Sequence, residues 1–156
     1  MYLITIQHKS VWEELQRTRS YICRHSGPFR EQYPVSYSEL ASLIWVDIPI
    51  FAWYRVNHNE TLSLSDIPRM MEMTEFSGDY FVLELNVSDS APLLTNFYDW
   101  SDLIFTECEG HMDNETRKIL WKNILDVNEQ SVEIQAILPY LVANWVTDVH
   151  RLRDLL

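Results

Sequence analysis

The sequence predicts an α+β domain with a mixed or antiparallel sheet and packed helices, a single domain over residues 1–156. Three observations carry this. Residues 2–7, 80–87 and 132–138 divide apolar and polar side chains with the period of a half-buried strand, and 50–56 is a run rich in aromatic and β-branched residues that also reads as a strand. Helical segments fall between them without the strict strand–helix–strand alternation of a parallel sheet. The 156 residues are 47% hydrophobic and 13% aromatic, enough for one core, and contain no repeat or linker tract.

Residues 2–7 are rich in β-branched side chains and read as a first core strand. They lack the basic stretch and cleavage site of a signal peptide. Ser10 with Glu13 makes a capping box that opens a helix to about residue 18, with Val11, Trp12 and Leu15 as its apolar stripe. Residues 21–23 form a short extended piece, and His25 to Pro28 a turn. Leu40, Leu43 and Ile44 have helical spacing, so 36–46 is expected to be a helix, broken by Asp47 and Pro49. In the strand 50–56, Phe51, Trp53 and Arg55 share one face, and Ile50, Ala52, Tyr54 and Val56 the other. Residues 57–59 then turn.

Ser65 to Pro68 reads as the start of a short helix that carries Met70, Met71 and Met73 and stops before Gly78. Over 80–87, Phe81, Leu83, Leu85 and Val87 line one face of a strand. Residues 88–94 are expected to turn. A helix capped by Asp99 covers 100–106, a polar break covers 110–113, and 114–125 is helical with Ile119, Leu120 and Ile124 inward. The last long strand, 132–138, puts Glu133 and Gln135 on the face opposite Val132, Ile134, Ala136 and Leu138. A short helix or strand over 144–149 completes the order.

Charge narrows the function classes. Twelve basic and 23 acidic residues give a net charge of −11. A broad duplex-binding surface is not expected, because phosphate neutralisation needs clustered Lys and Arg. Residues 1–60 are neutral, so the whole excess lies in 61–156 and is densest between Glu72 and Glu115. This is either a solvated acidic surface or a face for a basic protein partner, carried by Glu72, Glu75, Asp79, Asp99, Asp102, Glu107 and Glu109. No apolar run approaches the roughly 18 residues that a membrane helix needs, so no membrane association is expected. Cys23 and Cys108 are far apart and form no CxxC motif, which fits buried or incidental thiols and a reducing cytoplasm.

The usual catalytic motifs are missing. His8, His25, His58, His111 and His150 are scattered, so ligand spacing nominates no metal. Three glycines in no phosphate-loop pattern argue against a Walker or Rossmann site. There is no GxSxG elbow. What remains is aromatic and polar. Trp53 and Tyr54 are adjacent in a strand, so one faces inward, and the other is either core as well or a stacking surface for a planar ligand. Glu133 and Gln135 are either the solvent face of an edge strand or hydrogen-bonding groups aimed into a cleft.

Thr5-Ile6-Gln7 with Trp12 and Leu15, Pro49-Ile50-Phe51-Ala52-Trp53-Tyr54, and Glu133-Ile134-Gln135-Ala136 with Trp145 together resemble a bacterial domain family that also occurs in mobile elements. Phe51 stands where that family usually has tryptophan. The family carries no assigned activity. The order of polar residues also resembles ADP-ribosyltransferase-like folds, including DarT-type DNA-modifying toxins. That resemblance implies NAD as cofactor. It implies Gln7 and Tyr54 as cofactor-binding residues, and Glu133 or Gln135 as the late catalytic position that stabilises a developing oxocarbenium ion. Gln7 replaces the usual basic or imidazole side chain of the first strand, and Gln135 carries no charge. A degenerate, binding-only descendant is therefore one expected outcome. An acidic inhibitor of the anti-defence type, acting through its negative face, is the second reading. An oligomer built on exposed aromatics is the third.

Overall fold

A computed structural model describes residues 1–25, 27–58, 61–72, 78–110 and 113–156. Its strands are β1 (Tyr2–His8), β2 (Ser20–Tyr21), β3 (Ile50–Arg55), β4 (Tyr80–Asn86), β5 (Leu93–Asn96), β6 (Ile134–Leu138), β7 (Leu141–Val142) and β8 (Val146–Arg151). Its helices are α1 (Lys9–Thr18), α2 (Pro28–Gln32), α3 (Pro34–Leu43), α4 (Ile67–Glu72), α5 (Phe97–Glu109) and α6 (Asn114–Leu125). The α+β class holds, with an antiparallel main sheet.

Six strands form that sheet in the order β5-β6-β3-β1-β4-β8, and β2 pairs with β7 beside it. The alternation read from sequence decides which side chains meet which layer. Leu3, Leu83, Leu85, Ala52 and Ala136 face α1, whose Val11 and Leu15 seal that side. Ile4, Trp53 and Val82 face the other way, onto Ile67 and Met70 of α4. Further along the same face, Ile137 meets Leu40, Trp100, Leu103 and Ile124 from α3, α5 and α6. Helices thus cover both faces, and β6 is buried along its whole length. That corrects the reading of its polar face as a solvent edge.

Several boundaries differ from expectation, each for a local reason. The His8 side chain, not the Ser10–Glu13 box, caps α1 by accepting from the Ser10 amide. Asn96 precedes α5, so Asp99 sits in its first turn rather than at the cap. The capping box before α4 belongs to Ser63 and Asp66 and starts a short 3-10 turn. Ile119 is 61% exposed, because the inward stripe of α6 runs through Leu120, Trp121 and Ile124. Residues 93–96 pair with β6 as an edge strand, although 93 and 94 were expected to end a turn. Pro28 starts a short helix where only a turn was expected, with Pro at its first position. Met73 and His111 lie outside the described residues. No helix among the described residues is long and apolar enough to cross a membrane, and Cys23 and Cys108 are free thiols.

Candidate functional site: an aromatic cleft between parted strands

β1 and β3 share a single registered pair, Ile4 with Trp53. Beyond it the ladder gives way to side chains. The Thr5 hydroxyl donates to the Phe51 carbonyl at 2.7 Å, and the Gln7 amide donates to the Thr5 hydroxyl at 2.8 Å. A cavity of about 480 Å³ opens there, bordered by Ile6 and Gln7 on one strand and by Ile50, Phe51 and Trp53 on the other. That volume suits a small-molecule ligand. Its walls are aromatic. Trp53 meets Phe97 at 5.1 Å between ring centroids, and Tyr37 meets Trp100 edge-on at 5.3 Å.

Gln135 pairs with Trp53 across β6 and β3 and lines the same cleft. It is only 8% exposed, and its Oε1 has no hydrogen-bond partner among the described residues. A buried acceptor left unpaired costs roughly 1–3 kcal/mol. A planar ligand with an N–H donor would remove that cost and find aromatic faces on which to stack.

The other polar residues of the strands go elsewhere. Tyr54 belongs with the α1-side layer, opposite Trp53. A register irregularity between Trp53 and Arg55 puts Arg55 opposite Ile134, so Arg55 does not continue the Phe51 and Trp53 face. The expectation that Gln7, Tyr54 and Glu133 converge on one hollow is therefore corrected. Gln7 and Gln135 share the cleft, Trp53 takes the place expected of Tyr54, and Glu133 serves a neighbouring hollow. Sequence alternation separated Trp53 from Tyr54. Only the helices packed above β3 decide which of them meets open space.

Glu133 is 1% exposed and lines a shallower polar hollow of about 310 Å³ with Tyr98 and Asp99. Arg69 from α4 donates through Nε to Glu133 Oε1 at 3.1 Å, through Nη1 to Glu72 at 2.8 Å and through Nη2 to the Tyr98 hydroxyl at 3.1 Å. Those partners hold the guanidinium firmly charged, Glu72 most of all and Glu133 next. Arg69 thus explains how a carboxylate stays buried here. Nothing in the sequence joined these two residues, which stand 64 positions apart.

The acidic residues assigned to a partner face are not equivalent. Glu72 is exposed but paired with Arg69. Glu107 accepts from the Val35 and Ser36 amides at 2.8 and 2.9 Å and from the Ser36 hydroxyl. It caps the N-terminus of α3 rather than standing free. Asp99 is half-buried in the first turn of α5, where burial and then the nearby Asp102 raise its carboxyl above the usual range. Asp79, Asp102 and Glu109 are exposed. Glu75 lies outside the described residues.

The cleft also has a pH signature. Burial, with a smaller contribution from Tyr33, pushes the Tyr37 phenol from 10.0 up to about 12. In the unfolded chain the phenol ionises first, so its contribution to stability is complete below pH 10.0 and is lost as pH rises to about 12. Denaturant midpoints measured across that alkaline interval are expected to fall, and Tyr37→Phe to make the fall shallower. An identical slope in the variant would contradict the burial of this hydroxyl.

Compared with protein-family models, with curated proteins and with solved structures, the chain matches none of them.

Proposed function

We propose that this chain is an ADP-ribosyltransferase-like domain that binds NAD in the aromatic cleft without transferring ADP-ribose. The observation that carries the proposal is the unpartnered Gln135 amide oxygen on a late strand, beside a cavity lined by the aromatic rings of Phe51, Trp53, Phe97 and Trp100. The order β6-β3-β1 supports it as well, because the late, middle and opening strands lie side by side. Gln7 and Trp53 complete the set.

The proposal gives no chemistry to the cleft because glutamine carries no charge there. Departure of nicotinamide leaves positive charge on the ribose, and a carboxylate would stabilise it where an amide does so only weakly. Glu133 is two residues away but committed to Arg69. This reading is preferred to that of an acidic inhibitor because Glu107 and Glu72 already have structural partners.

Thermal unfolding with NAD, nicotinamide and ADP-ribose tests the proposal. A ligand at about 100 times its dissociation constant adds roughly 2.7 kcal/mol of stability. NAD and nicotinamide are expected to raise the midpoint, and labelled NAD is expected to remain intact. A midpoint unmoved by millimolar ligand would overturn the binding claim. Released nicotinamide would overturn the claim of inactivity.

A further inference from the structure

At the opposite end of the sheet from β5, three side chains meet on paired strands. Glu84 of β4 stands directly across from Asp148 of β8, and Val82 across from His150. Glu84, Asp148 and His150 therefore project from one face. His150 Nε2 lies 2.8 Å from Glu84 Oε2 and 3.8 Å from Asp148 Oδ2. One ligand atom from each residue falls within 4.8 Å of the other two.

Two features of this cluster are not explained by a simple ion pair. Like charges directly opposite each other across an antiparallel ladder are destabilising. Here two carboxylates share one imidazole, and among the described residues no lysine or arginine forms an ion pair with either. The second feature is that Glu84 is oriented from behind. The Tyr2 hydroxyl donates to Glu84 Oε1, which leaves Oε2 toward His150 and Asp148.

We propose that Glu84, Asp148 and His150 bind a divalent first-row metal ion, zinc by preference. Zinc sits about 2.0–2.2 Å from nitrogen and oxygen ligands, so two tetrahedral ligands stand roughly 3.4 Å apart. The 2.8 and 3.8 Å separations straddle that value. An imidazole with only two carboxylates favours zinc over calcium or magnesium, which take larger all-oxygen shells. The ion would neutralise the opposed carboxylates and tie edge strand β8 to β4. Tyr2 would hold the ligating carboxylate in place.

The test uses the full, untagged chain stripped of metal by a chelator and titrated with zinc chloride in a non-coordinating buffer. One ion per chain is expected, with an unfolding midpoint that rises with free zinc. His150→Ala is expected to abolish saturable binding, and Tyr2→Phe to weaken it by about 10- to 100-fold. Cobalt(II) added to the wild-type chain needs no variant. An intense visible band from a low-coordinate nitrogen–oxygen site is expected. A spectrum that stays that of aqueous cobalt, the absence of one-equivalent zinc binding, or binding unchanged in His150→Ala would overturn the proposal.

Discussion

Arg69→Leu is expected to lower folding stability by about 3 kcal/mol, the low end of the range for breaking a buried ion pair. The low end applies because Arg69 is itself 33% exposed, whereas the Glu133 side chain is fully covered. The guanidinium spans three acceptors, and only one of them has no access to water. Losing its bonds to exposed Glu72 and to Tyr98 costs little, because water replaces them. Losing the bond to Glu133 leaves a carboxylate in the interior with both oxygens unpaired. At about 2–4 °C per kcal/mol for a domain of this size, the midpoint should fall by roughly 6–12 °C. The cause is separable from lost packing. Glu133→Gln removes the charge, so the double variant should recover most of the loss in a double-mutant cycle. Additive single and double variants would contradict this account of Arg69.

Glu107→Ala is expected to cost about 2 kcal/mol, read from urea midpoints at an unchanged slope. Pro34 opens α3 at a position that needs no amide donor, but the amides of Val35 and Ser36 are left without intrahelical acceptors. Tyr33, the residue before the helix, offers them no side-chain cap. Glu107 reaches across from α5 and accepts from both, and its negative charge suits the positive end of the helix dipole. Removing it uncaps α3 and unfastens α3 from α5 in one step. Glu107→Lys should be worse still, because it puts a cation at that end. A charge reversal there would therefore damage the fold and report nothing about partners. Asp102 and Glu109, which are exposed, are the positions at which to probe a basic partner. An Ala variant as stable as wild type would remove the capping role.

These two residues show what the sequence conveys and what it does not. Strands β1, β4 and β6 were legible because side chains alternate along them, and β3 because it is an aromatic and apolar run bounded by Pro49 and a turn; both signals depend only on the local chain. Which strands neighbour one another was not legible, since nothing local joins Ile4 to Trp53 or Trp53 to Gln135. β5 was hidden by a stretch of serine, alanine and proline around residues 88–92 that reads as a turn. The irregularity after Trp53 changes which side Arg55 takes, and a strict period of two does not register it. Glu133 and Gln135 were legible as a polar pair on one face. Their division between an ion pair and a cleft depends on Arg69 in α4 and on the aromatic rings of α3 and α5. Glu84 and His150 were invisible as a pair for a similar reason, being 66 positions apart.

The most direct measurement titrates NAD into the wild-type chain and into Gln135→Leu by calorimetry, alongside denaturant unfolding of both proteins without ligand. Leucine removes the buried acceptor that has no partner, so the free variant should be more stable than wild type by about 1–2 kcal/mol, while its NAD isotherm goes flat. A variant that is less stable when free, or that binds NAD as wild type does, would contradict the assignment of the cleft.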